Sequence, residues 1–304
     1  MSTARISGHF LLCMVCAPLL MGGACEKKST KPADTGAMAA ADRTDPATVK
    51  DTTPLAGVDL TKLDADKQKK FYPLVNSLKS PCGAAHSLRT SFTSDTKCKR
   101  APYAVKYLIA LIDDEASDDQ IRQEFAHKYE STKTVKLDVA TAPRVGPEDA
   151  PVRLVEFFDY ACPHCAQFKP MLDQIAQQHG TKVAEYFLMY PLGKWPDSKS
   201  AAQAALAAAQ QGKFKEMHAV LFAKSPIHGK DAVMGYAKEL GLDLPKFEAA
   251  YAAAAAQVEK DRAQGEAAGV ESTPTLFFND RKYEGPLNPE YIGMWIEEEV
   301  AVNR

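Results

Sequence analysis

Residues 152–165 read VRLVEFFDYACPHC, and this stretch decides the fold. Its first nine residues, 152–160, form a near-continuous apolar run that fits a buried strand. Behind the cysteines, Phe168, Leu172 and Ile175 recur at helical spacing as far as Gly180, which suits a helix C-cap. Cys162 and Cys165 therefore fall where a strand hands over to the first turn of a helix. Pro163 suits that turn, because the N–H it lacks would have no partner there.

That junction is where thiol chemistry is favoured. The thiolate is the nucleophile, and the free N–H groups and dipole of a helix N-terminus stabilise negative charge. Cys162 is expected at the exposed end as the attacking thiol, with His164 placing a positive charge or an N–H donor near its sulfur. Cys165, one helical turn on, is expected to be more buried and to act as the resolving thiol. A structural reading is weaker, since a C-x-x-C disulfide closes too short a loop to remove much chain entropy. A zinc site would need two further ligands, and no metal or cofactor is implied. The histidines at 86, 127, 179, 218 and 228 have no partner at metal or catalytic spacing and read as surface or packing residues.

Working outward, residues 134–139 form a candidate strand and 146–151 a turn-rich approach to the central run. Residues 183–191, VAEYFLMYP, are another strand candidate. Helices are expected over 198–211, 214–223, 231–240 and 244–268, the alanine runs among them reflecting high helix propensity. LFFND at 276–280 and the following RKYEG would make a hairpin. A last helix over 287–302 would turn Trp295 and Ile296 toward the sheet. Trp195 and Tyr190 read as core aromatics by default, with a place lining a groove near the active site as the alternative.

VEFFDYACPHCAQF resembles the active-site segment of the DsbA-like branch of the thioredoxin superfamily, and the likeness runs from about residue 139 to 302. It implies an α/β thioredoxin-like fold with an inserted helical subdomain at about 197–268. GVESTPT at 269–275 matches the family's loop before the penultimate strand. By that likeness Pro274 is a cis-proline and Thr273 the variable residue before it, the two facing the dithiol and holding the substrate's backbone. Glu156, six residues before Cys162, stands where the family has a buried acid that accepts protons during exchange. The resemblance implies a protein thiol–disulfide oxidoreductase, and CPHC in place of CGPC favours an oxidant. An isomerase or reductase uses the same site. A docking module for a maturation partner and a peroxidase-like enzyme are further readings, the last disfavoured by the two-cysteine site.

Upstream, residues 59–131 read as a small α-helical domain preceding the thioredoxin-like part at 132–304. Phe71, Leu74, Val75 and Leu78 make one apolar stripe; Tyr103, Tyr107, Leu108, Leu111 and Ile112 make a second. Ser117 and Gln120 look like a capping box before a third helix carrying Ile121, Phe125 and Tyr129. Cys82 and Cys98 are expected to form a structural disulfide, since four cysteines remain outside the leader and its junction in a chain that reads as exported. SPCGAAHSL followed by ASDDQIRQEFAHKY faintly resembles the small helical domain of CcmH-type cytochrome c maturation proteins. Those carry a C-x-x-C where only Cys82 stands here, so the likeness supports a helical hairpin and no haem–thiol chemistry.

The N-terminus reads as an address. FLLCMVCAPLLM at 10–21 is too short to span a bilayer and fits a signal peptide over 1–24. Small residues before Cys25 resemble a lipoprotein signal, with Cys25 lipidated; Gly22 in place of the usual leucine leaves plain cleavage open. Residues 25–58 are small, polar and charged, a flexible linker. With 37 basic and 39 acidic residues, nothing argues for a nucleic-acid partner. The expected setting is the periplasm or cell envelope, with exported cysteine-containing clients and a membrane redox partner.

Overall fold

The computed structural model describes residues 51–131 and 133–303, so the expected leader, Cys25 and most of the linker lie outside the described residues. Four helices come first: α1 (Ala65–Ser77), α2 (Leu88–Thr93), α3 (Ala101–Asp113) and α4 (Asp118–Tyr129). Then follow β1 (Arg144–Val145), β2 (Val152–Phe158), α5 (Pro163–His179) and β3 (Val183–Met189). Helices α6 (Ser198–Ala209), α7 (Phe214–Ala223), α8 (Lys230–Glu239) and α9 (Leu244–Ala267) intervene before the hairpin β4 (Thr275–Phe278) and β5 (Arg281–Lys282). Helix α10 (Pro289–Val302) ends the chain's regular structure. This is the expected α/β thioredoxin-like architecture, with α6 to α9 as the helical insertion.

The sheet order is β1-β3-β2-β4-β5. β2 and β3 run parallel at its centre, and the other neighbours pair antiparallel. A parallel pair joined through a helix is covered on both faces, which is why β2 and β3 read as continuous apolar runs. Alternation then sorts their side chains. Leu154, Glu156 and Phe158 share one face with Glu185, Phe187 and Met189; Val155 and Phe157 share the other with Ala184, Tyr186 and Leu188. The first face carries two apolar clusters. One gathers Leu154, Phe278, Trp295 and Ile296 with Phe168, Leu172 and Ile175 of α5. The other joins Phe158, Phe187 and Met189 to Cys162, Cys165 and the insertion helices.

Two sequence expectations are corrected. Residues 134–139 are not a strand. Val135 N–H donates to the Asp280 carbonyl at 2.7 Å, but no ladder follows. The apolar alternation there comes from Leu137, which is buried on the second face of the sheet among Tyr186, Tyr190 and Phe277. The strand before β2 is instead the two-residue β1, paired with β3. The N-terminal unit has a fourth, short helix, α2, which six residues with two buried side chains do not announce by periodicity.

The capping box forms as expected: Ser117 N–H donates to Gln120 Oε1 at 2.8 Å and Gln120 N–H to Ser117 Oγ at 3.3 Å. Cys82 and Cys98 are joined by a disulfide, with Cα atoms 5.7 Å apart. Residues 51–58, the end of the expected linker, lie against this unit: Leu55 is buried in its core, and Asn76 Nδ2 donates to the Asp51 carbonyl at 2.8 Å. Tyr291 of α10 completes the same core, so the helical unit packs directly on the thioredoxin-like part.

Candidate active site

β2 ends in a buried acid that builds the active-site turn. Asp159 Oδ1 accepts from Ala161 N–H at 2.9 Å, its carbonyl accepts from Cys162 N–H at 3.0 Å, and Oδ2 accepts from Leu192 N–H at 2.9 Å. One side chain thus ties the turn before the dithiol to the segment after β3. Cys162 is the N-cap of α5 and Pro163 follows at its first position, as the sequence implied. Asp159 was not singled out in the sequence; a lone acid closing an apolar run is the signal that marks it.

Cys162 is 3 % exposed and Cys165 1 % exposed, and both are free thiols. The exposed position expected for Cys162 is therefore corrected: it packs in the cluster with Tyr160 and Phe158, while Pro163 and His164 are the exposed members of the motif. The Cys162 thiol donates to the Thr273 carbonyl at 3.5 Å. The Thr273–Pro274 peptide is cis, so the loop 269–275 meets the dithiol as the resemblance implied. Ser225–Pro226 is a second cis bond that the sequence reading did not single out.

Beneath the helix, burial pushes the Cys165 thiol well up, and the charge of Glu156 adds to that; the Asp159 backbone and the Thr273 hydroxyl oppose it. Glu156 is 5 % exposed, so the structure places a buried acid whose charge is felt by the Cys165 thiol. Burial, then the charge of Glu185, raises Glu156 above the usual carboxylate range. Glu185 on β3 is itself 4 % exposed and is likewise raised by burial. Sequence reasoning missed Glu185, although a single acid in the otherwise apolar VAEYFLM mirrors the one in VRLVEFF.

His218, read as a surface or packing residue, is 6 % exposed and hydrogen bonds through Nδ1 to the Tyr160 hydroxyl at 2.9 Å. Among the described residues, no three His, Cys, Asp or Glu side chains are placed to hold a metal ion. Among them, too, no helix is long and apolar enough to cross a membrane.

A buried dithiol at a helix N-terminus, facing a cis-proline loop on a sheet of this topology, defines a DsbA-like thiol–disulfide oxidoreductase. The thioredoxin family model matches residues 138–298, more than half of the chain, and the chain belongs to the thioredoxin family. It is similar in structure to BdbD from Bacillus subtilis, with 25 % identity, a TM-score of 0.50, and coverage of 55 % of this chain and 97 % of that one. A thioredoxin-like oxidoreductase from Silicibacter pomeroyi shows 29 % identity and a TM-score of 0.47 over 52 % of this chain and 91 % of its own. Among curated proteins, a Na(+)/H(+) antiporter NhaA from Salinispora tropica is 36 % identical over 148 residues, which cover 48 % of this chain and 22 % of the antiporter. The chain thus matches under a quarter of that relative's length.

Proposed function

We propose that the protein is a cell-envelope dithiol oxidase that introduces disulfides into exported proteins through Cys162 and Cys165. The observation that carries this reading is the Cys162 sulfur at the head of α5, beside the Thr273 carbonyl and Pro274. A helix N-terminus stabilises the Cys162 thiolate, which stabilises the reduced enzyme and makes its disulfide the stronger oxidant. A client thiolate attacks Cys162 Sγ in the disulfide form, and Cys165 leaves. A second client thiolate then attacks the mixed disulfide, releasing the client disulfide and the reduced enzyme. The backbone at Thr273 and Pro274 receives the client segment, Pro163 and His164 flank it at the surface, and Glu156 handles the Cys165 proton. A membrane partner restores the disulfide. Lipidation at Cys25 would hold the enzyme at the membrane, with the polar linker that follows it as tether; the helical unit at 59–131 would carry Cys82–Cys98 as a structural disulfide only.

The test is the reduction potential of the Cys162–Cys165 pair in the whole chain, equilibrated in glutathione buffers and read by thiol trapping and mass. A potential well above that of the glutathione pool supports the oxidase. A potential near that of thioredoxin overturns it in favour of a reductase or isomerase fed with electrons across the membrane. In parallel, with a disulfide-bonded client peptide, the Cys162 thiolate of Cys165→Ser should attack one client sulfur, release the other as a thiolate and accumulate the mixed disulfide, and Cys162→Ser should form none.

A further inference from the structure

Glu156 and Glu185 sit at a seam. On the α5 face of the sheet, Leu154 pairs with Glu185 and Glu156 with Phe187, so the two acids are diagonal neighbours on adjacent strands. On one side lies the cluster holding Cys162, Cys165 and Phe187; on the other lies the cluster holding Leu154, Phe168 and Leu172. Both residues are more than nine-tenths buried. Apolar packing alone gives no reason for two such acids, since burying an unpaired charge is costly. Glu185 does reach open space. It lines a cavity of about 400 Å³ walled also by Lys169, Asp173, Phe187, Lys215 and His218.

We propose that Glu185 is the outlet of a proton path running from the Cys165 sulfur through Glu156 to this cavity. Cys165 then exchanges its proton with water in the cavity between α5 and α7 while a client covers Cys162. The inference rests on the dithiol reading above. When a client thiolate attacks Cys162 Sγ, a bond forms between those sulfurs and the Cys162–Cys165 bond breaks, its electron pair leaving on Cys165. The Cys165 thiolate takes a proton from the Glu156 carboxyl. Glu185 returns a proton to Glu156 and is itself reprotonated from the cavity. In the reverse direction the same path withdraws the Cys165 proton before its thiolate attacks the mixed disulfide.

Two close buried acids cannot both ionise readily, so the pair keeps a proton to give where isolated carboxylates would not. The groups facing it are few. Cys165, Lys169 and Asp173 come from α5, with Lys169 paired to Asp173; Tyr160 follows β2; Lys215 and His218 come from α7. Val145 of β1 stands opposite Glu185 and Leu276 of β4 opposite Glu156, both uncharged. Lys169 draws both acids down and Asp173 pushes both up.

The first measurement uses the unmodified reduced protein: a pH titration of glutamate side chains by carbon-13 NMR. Two resonances should titrate together above the ordinary carboxylate range. Ordinary, independent titration of every glutamate overturns the path, whatever any variant does. The second is single-turnover oxidation of a two-cysteine peptide from pH 5 to 9. Glu185→Gln should slow it by about tenfold at neutral pH, a fraction of what a directly acting acid contributes, and flatten the pH profile. Glu185→Asp should restore part of both, and the dependence on peptide concentration should not move. A Glu185→Gln profile matching the unmodified protein overturns the path. An unmodified protein that leaves the peptide unoxidised instead overturns the oxidase reading, and the NMR titration still decides for or against the coupled pair.

Discussion

His218 shows what one buried side chain does to the pH dependence of the whole. Phe158, Phe187, Phe214 and Phe222 ring it, with centroids 5.0 to 5.5 Å away. Burial first, and the charge of Lys169 second, pull it down to about 3 from an ordinary 6.5. Above pH 6.5 neither the folded nor the unfolded chain protonates this ring. Between 6.5 and about 3 only the unfolded chain does, so stability falls as pH falls, by about 1.4 kcal/mol per unit. His218→Phe removes that slope but strands the Tyr160 hydroxyl, at a cost of about 1 kcal/mol. Urea midpoints should therefore favour the native protein at pH 7.5 and the variant at pH 5, crossing between about pH 6 and 5. Midpoints that keep a constant offset across this range would show that the ring is not held neutral by burial. The same residue marks the limit of what the chain order reveals. Cys162, Pro163, His164 and Cys165 are contiguous and Glu156 lies a fixed step before them, so all were legible. His218 meets Tyr160, and Glu185 meets Glu156, only through helix packing and the parallel register of β2 with β3.

At the scale of elements, the strand-to-helix passage from β2 into α5 could be read directly, because a seven-residue buried strand and a seventeen-residue helix each carry their own period. The insertion helices were legible to within a few residues for the same reason. β1 and β5 have two residues each, too short for any period, and exist only because longer strands offer them an edge. The two glycines inside α8 and α9 test how far helix propensity decides stability. Gly235 in α8 is exposed, with nothing within 4 Å of where a Cβ would stand. Gly235→Ala should stabilise the protein by about 0.5–1 kcal/mol. Gly265 in α9 is where that helix crosses the sheet: a Cβ would lie 2.6 Å from Tyr190 Cε2 and 2.9 Å from Phe157 Cε1. Neither ring can give way easily, since Tyr190 donates to the Val270 carbonyl at 2.8 Å and Phe157 packs edge-on against Tyr190 and Phe277. The overpacking cost of about 1–3 kcal/mol outweighs the propensity gain, so Gly265→Ala should destabilise. Paired thermal melts read both signs. Stabilisation by both substitutions would mean that α9 is free to lift from the sheet.

The whole molecule is joined by a buried charge cluster that neither half could have announced alone. Glu298 of α10 is fully buried and ion-paired to Arg100, from the start of α3, and to Lys128 of α4 at 2.9 Å. It also accepts from the Tyr129 hydroxyl at 2.9 Å. Glu299 beside it holds Arg100 at 3.0 Å and Arg281 at 3.1 Å, and Arg281 donates in turn to the Lys128 carbonyl. Lys128 lies 3.8 Å above the Trp295 ring, and burial pulls it down to about 8 against the opposing pull of Glu298. In the sequence, Lys128 and Glu298 read as ordinary charges on helix faces 170 residues apart, because only the docking of α4 on α10 removes them from water. Such clusters resist loss of one member far more than they favour the folded state, since the partner left behind stays buried and charged. Glu298→Ala removes the anion shared by Arg100 and Lys128 together with the acceptor for Tyr129, and should cost about 3–5 kcal/mol. Because α10 belongs to the thioredoxin-like part and carries Tyr291 into the helical unit's core, the loss should loosen the junction first. Limited proteolysis should then cut within residues 131–143 well before the sheet unfolds. Glu298→Gln, which keeps the shape and one acceptor, should fall between the variant and the native protein. If Glu298→Ala unfolds at the native urea midpoint and resists protease equally, the cluster is not what holds the helical unit to the oxidoreductase part, and the apolar contact around Tyr291 must suffice.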